Sequence, residues 1–166
     1  MAKRKQLFLK SKTYSDRAQA IVEFAIVLPI LLALLVGIFE VGRYMFIYSA
    51  VTNASRNAVR YASAVGLNDS GLHKYKHCAG IKNVAVKSAF LVPASNLTIS
   101  ISYDTGPGSS AFVVCDAGSG EDADVIVISG NRVNVNVSAQ YRPILNPSTI
   151  TSSSYRTILG IVDLVP

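Results

Sequence analysis

The chain lacks the motifs on which enzyme chemistry is usually built. Nothing resembles a nucleophile elbow or a catalytic dyad, and the Gly106-Pro107-Gly108-Ser109-Ser110 run has neither the Lys nor the following helix that a phosphate loop needs. There are only two cysteines and no Cys-x-x-Cys pair, which excludes the usual redox module. The two histidines lie in H-K-Y-K-H-C, residues 73–78, which could set both imidazoles on one helical face. No carboxylate or second Cys is close by, so we read a solvated pair and expect no metal. Asp116, Glu121, Asp122 and Asp124 do not follow the spacing of an EF-hand loop and read as a solvated hairpin loop. No internal repeat is apparent. The expectation is a protein that is not an enzyme and carries no cofactor.

Acidic residues are scarce at the N-terminus. Lys3, Arg4, Lys5, Lys10, Lys12 and Arg17 stand against Asp16 alone, and this segment accounts for most of the formal net charge of +6. Basic residues directly before an apolar run mark the cytoplasmic flank of a membrane span, so the N-terminus is expected inside and everything after Tyr48 outside. A nucleic-acid-binding arm is the weaker reading beside such a run, and no nucleic-acid partner is expected.

Between Phe24 and Phe39 no side chain is charged or strongly polar. Those roughly sixteen residues make about 24 Å of helix, and the flanks 19–22 and 41–48 extend it to bilayer thickness, with Arg43 able to snorkel to the headgroups. The run is longer than the apolar region of a cleaved secretory signal and passes into Glu40, Gly42 and Arg43, so an uncleaved span is expected. Pro29 removes one helical amide and predicts a local opening or kink. Glu23, near the start of the span with apolar neighbours on both sides, is costly there unless a cation meets it. Two readings stand on this evidence: a functional carboxylate, or a Glu at headgroup depth in an ordinary signal anchor.

The segment R-A-Q-A-I-V-E-F-A-I-V-L-P-I-L-L, followed by G-I-F-E-V-G-R, resembles the N-terminal signature of TadE-like proteins, pilin-like (pseudopilin) components of tight-adherence, or Flp-type, type IV pili. The resemblance covers about residues 17–66. It implies that a prepilin peptidase cuts between Ala18 and Gln19, leaving Glu23 as the fifth mature residue and Phe24 as the sixth. Ala18 departs from the Gly usual at that position. Pro29, Glu40, Gly42 and Arg43 fall on further elements of the motif. The resemblance further implies that Glu23 pairs with an N-terminal amine, and that the partners are the membrane, the peptidase, an assembly platform and other pilin subunits. TadF and the much longer TadG-like proteins share similar N-termini, and the length of this chain argues against the last.

Beyond the span, Tyr44, Ile47, Val51, Ala54, Ala58, Tyr61 and Val65 recur every three or four residues, the stripe of a helix with one packed face, with Gly66 as its C-cap. A helix from Gln19 to Val65 would be on the order of 70 Å long. Residues 76–91 predict a second, shorter helix. Leu97, Ile99, Ile101 and Tyr103 alternate with polar residues as a half-buried strand, as do Val133, Val135, Val137 and Ala139. Residues 111–115 and 125–129 predict two more strands, 148–154 a polar linker, and 158–165 an edge strand or docking tail. Cys78 and Cys115 both fall outside the membrane, where an even pair is expected to form a disulfide closing a loop of about 37 residues, worth about 3–4 kcal/mol. The fold class is α+β: a long N-terminal transmembrane and stalk helix, then a small antiparallel-sheet head with a second short helix. The organisation is 1–18 basic leader, 19–48 transmembrane helix and 49–166 extracytoplasmic head. The function expected is that of a pseudopilin or minor pilin in pilus assembly and surface adhesion. The alternative is a signal-anchored ligand-binding or adhesive module that never enters a pilus.

Overall fold

The computed structural model describes residues 9–69, 71–111, 113–115, 127–143 and 147–159 of the 166-residue chain. The chain forms two compact units, Met1–Arg43 and Tyr44–Pro166. The helix α1, Leu9–Ala62, contributes to both, and Pro29 lies inside it.

Among the described residues of the first unit α1 is the sole element, and every residue from 18 to 39 is exposed. A lone helix that leaves Ile, Leu, Val and Phe uncovered all round has no amphipathic face to bury, which is the signature of a segment built for lipid. The helix from Ala18 onward is long and apolar enough to cross a membrane.

In the second unit the same helix changes character. Ala50, Val51, Ala54, Ser55, Ala58, Val59 and Ala62 are buried, a continuous stripe at helical spacing. The alanines let a sheet approach closely, and Ile47 and Tyr61 pack at the margin. Tyr44 and Val65, expected at the two ends of this stripe, are exposed. Arg60 sits in the last turn, where its charge complements the helix dipole. The helix stops at Ala62, earlier than Val65, because the chain turns there: Ala64 N–H bonds Tyr61 O at 3.2 Å, and Gly66 has φ +112°. That left-handed conformation comes readily only to glycine.

The second helix, α2, spans Cys78–Ser88 and buries Cys78, Ile81 and Ala85. Among the described residues four strands follow: β1 Leu97–Asp104, β2 Val113–Cys115, β3 Arg132–Tyr141 and β4 Ser148–Thr157. All pairs are antiparallel and the order across the sheet is β2-β1-β3-β4. Ile101 faces Val135 and Tyr103 faces Val133 in register, so the alternation read in each strand converges on one apolar face. That face and the buried sides of α1 and α2 share a single core. The opposite face is polar: Thr98, Ser138 and Thr151 form one cross-strand row, and Ser100, Asn136 and Ser153 the next.

Two expectations are corrected. Residues 148–154 are not a linker but most of β4, paired with β3 along its whole length. Threonine suits a pleated surface, and an edge strand tolerates polar side chains on both faces. Residues 127–129 are not a strand. Gly130 N–H bonds Ile158 O at 2.9 Å and Ile158 N–H bonds Asn131 O at 2.8 Å, so this segment closes a turn against the end of β4. Residues 125–126, the acidic stretch 116–124 and the tail beyond Leu159 lie outside the described residues.

Candidate functional site

The residues singled out in the apolar segment all lie on α1. Gln19 and Glu23 are one turn apart, and the Gln19 side-chain amide donates to Glu23 Oε1 at 3.1 Å. The two therefore share a helix face, as the i, i+4 spacing dictates. Phe24 is 64 % exposed and Phe39 78 %, surfaces that only a lipid or another helix could cover. Ala18 is helical, so the bond to Gln19 lies inside continuous helix rather than at a break. Glu40 and Arg43 stand one turn apart at the end of this unit, with the partly covered Gly42 between them. An added Cβ at Gly42 would meet nothing within 4 Å, so no close packing among the described residues explains the glycine.

Among the described residues, the second unit carries no comparable cluster of the residues singled out in the sequence. Cys78 and Cys115 form a disulfide, Cα atoms 6.0 Å apart, which ties the first residue of α2 to the last residue of β2. With that sulfur committed, Cys78 cannot join His73 and His77 as a metal ligand. His73 instead stacks on Tyr75 with ring centroids 5.1 Å apart. Among the described residues no group of three or more His, Cys, Asp or Glu side chains could hold a metal ion.

What holds the head in shape is a set of polar contacts around the core. The Tyr103 hydroxyl donates to the Tyr75 carbonyl, fastening β1 to the segment before α2. Burial pushes the Tyr103 hydroxyl well above the usual phenol range. Arg132 grips Asp104 with two bonds, Nε to Oδ1 at 2.8 Å and Nη2 to Oδ2 at 3.0 Å, and stacks over Tyr155 at 4.7 Å. The Asp104 hydrogen bond raises the Arg132 pKa further, and Asp104 also accepts from Gly106 N–H, so one carboxylate fixes both the β1–β3 register and the turn leaving β1.

Sequence reasoning missed Ser55. It is fully buried on α1, and its hydroxyl meets Thr52 O at 3.0 Å, Ser152 Oγ at 3.2 Å and Ser154 Oγ at 2.9 Å. A serine has one proton to donate. If Thr52 O receives it, both β4 hydroxyls must donate into Ser55. The clue in the sequence was a polar residue inside an Ala stripe, opposite a Ser-rich run.

An exposed apolar helix carrying one acidic residue near its start, joined to a small disulfide-tied α+β unit, is consistent with the class of proteins anchored to a membrane by a single helix. Within that class, residues 18–60 match the family described as TadE-like protein. The match covers about a quarter of the chain and takes in Glu23, Pro29, Glu40, Gly42 and Arg43. Over that segment the chain is similar to TadE-like proteins. No curated protein and no solved structure matches it.

Proposed function

We propose that this protein is a non-catalytic pilin-class subunit, a pseudopilin or minor pilin that takes part in assembling tight-adherence pili. The observation that carries the reading is Glu23, a carboxylate inside the apolar helix and inside the segment that is similar to TadE-like proteins. On this reading the basic residues 3–17 stay in the cytoplasm and the head stands outside. A prepilin peptidase opens the helix locally and removes the leader through Ala18. The new ammonium at Gln19 lies one turn from Glu23, on the face that the Gln19–Glu23 bond already shares. It neutralises that carboxylate, or a neighbour's, as an assembly platform lifts the helix from lipid into the filament.

Removing one partner of a buried ion pair typically costs about 3–5 kcal/mol. Glu23→Ala is therefore expected to abolish or sharply reduce pilus number while membrane insertion is unchanged. The decisive experiment is N-terminal sequencing and mass of the protein from membranes, with and without the peptidase. A chain starting at Gln19 only when the peptidase is present supports the proposal. A second reading, an uncleaved signal-anchored adhesive module, is favoured by Ala18 standing where a Gly is usual. A chain that keeps its leader in both samples, with Glu23 dispensable, would establish that reading instead.

A further inference from the structure

The head carries an arginine groove that the packing among its described residues leaves unused. Asn53, Arg56, Asn57 and Arg60 from α1, with Tyr155 and Arg156 from β4, line an open groove of about 440 Å³. Arg56 and Arg60 stand at i, i+4 on the side of α1 away from the core, and all three guanidiniums are exposed. Among the described residues none of the three meets a carboxylate, whereas Arg132 is fully engaged by Asp104. Like charges gathered in a concave site repel one another, so the groove is suited to a partner that brings several negative charges. It also adjoins β4, the last strand in the order β2-β1-β3-β4. Among the described residues the outer edge of β4 has no strand partner, leaving a row of backbone donors and acceptors for an extended segment.

The chain holds one stretch with the complementary chemistry. Asp116, Glu121, Asp122 and Asp124 crowd into residues 116–124, and no Lys, Arg or His occurs between Lys87 and Arg132 to balance them. That stretch follows Cys115 directly, at the end of β2, and β2 is the opposite edge of the sheet from β4. In sequence the acidic stretch continues from one edge strand, and arginine lines the groove beside the other. A contact between unlike edges of two copies is heterologous and repeats head to tail, the kind that generates an open fibre when its rotation does not close.

We propose that the groove of Arg56, Arg60 and Arg156 receives the acidic stretch, residues 116–124, of a second copy of this chain. The contact deepens the assembly reading and rests on it for the presence of a neighbouring copy. Its test needs neither leader removal nor a filament, so the two can fail separately. The receptor is the full-length protein in detergent micelles, with its own four acids at 116, 121, 122 and 124 changed to amides so that the groove is free. The probe is a fluorescent peptide, D-A-G-S-G-E-D-A-D, followed by anisotropy. Saturable binding is expected, weakened at least tenfold by Arg56→Glu with Arg156→Glu, and weakened by salt as screening requires. A peptide with Lys at the four acidic positions is expected to bind that reversed variant and not the parent. Absence of binding to the parent would overturn the proposal. So would equal binding to parent and variant, or displacement by inorganic phosphate or polygalacturonate at matched charge concentration. Arg156→Gln serves in place of the double reversal if the latter fails to form the Cys78–Cys115 disulfide.

Discussion

Replacing Ser55 with Ala tests how α1 is joined to β4. The substitution removes one buried oxygen that three groups address: Thr52 O, Ser152 Oγ and Ser154 Oγ. Thr52 O keeps its helical bond, so its loss is small. Ser152 and Ser154 are only half-buried and recover part of their hydrogen bonding from water. Each orphaned donor then costs about 1 kcal/mol, the low end of the penalty for an unsatisfied buried polar group, and Ser55→Ala destabilises the head by about 2 kcal/mol. For a unit of this size that lowers Tm by about 8 °C. The informative comparison is the triple variant Ser55→Ala, Ser152→Ala, Ser154→Ala. Removing all the partners together leaves no stranded donor, so the triple is expected to be more stable than the single, a non-additivity of at least 1 kcal/mol. Thermal unfolding of the full-length protein in detergent, followed by the near-ultraviolet circular dichroism of its tyrosines, reads both quantities. A shift below about 2 °C in the single variant, or a triple variant that is less stable than the single, would refute the hydroxyl cluster as a stabilising contact.

The disulfide gives a second test. Replacing Cys78 and Cys115 with Ala frees a loop of 37 residues and is expected to cost about 4 kcal/mol, seen as a large fall in denaturant midpoint. Gly80→Ala places a Cβ on the His77 ring and 3.0 Å from the Tyr61 hydroxyl; an overpacking cost of about 1–3 kcal/mol is expected by the same measurement. Tyr103 predicts an alkaline limb. Its folded pKa is raised by burial, so the stability that the neutral phenol confers is fully present below about 10 and is lost as pH rises above it. Alkaline titration at the phenolate absorbance is expected to show one tyrosine ionising only with unfolding, and Tyr103→Phe to remove that component.

Where one local pattern sufficed, reading along the chain was enough. The apolar run and Glu23 are local facts, since a residue's cost in lipid depends on its chemistry and not on distant contacts. The middle of the helix stripe, Val51, Ala54 and Ala58, the α2 segment and the alternation in β1 and β3 are local as well, because each carries the period of its own element on a half-buried face. The Cys78–Cys115 pair followed from there being two cysteines, both beyond the apolar run. β4 was not legible. Its Ser- and Thr-rich sequence lacks apolar alternation, and it is a strand because β3 offers an edge along its entire length and Ser55 satisfies two of its hydroxyls from the helix side. The arginine groove depends on the same event. Arg56 and Arg60 are visibly off the packed stripe, but Arg156 is nearly a hundred residues away, and only the pairing of β4 at the sheet edge brings it beside them. Elements that bury their own apolar face declare themselves in sequence. A polar edge strand is specified by its neighbours, so its place, and every site built on it, is decided by tertiary contacts.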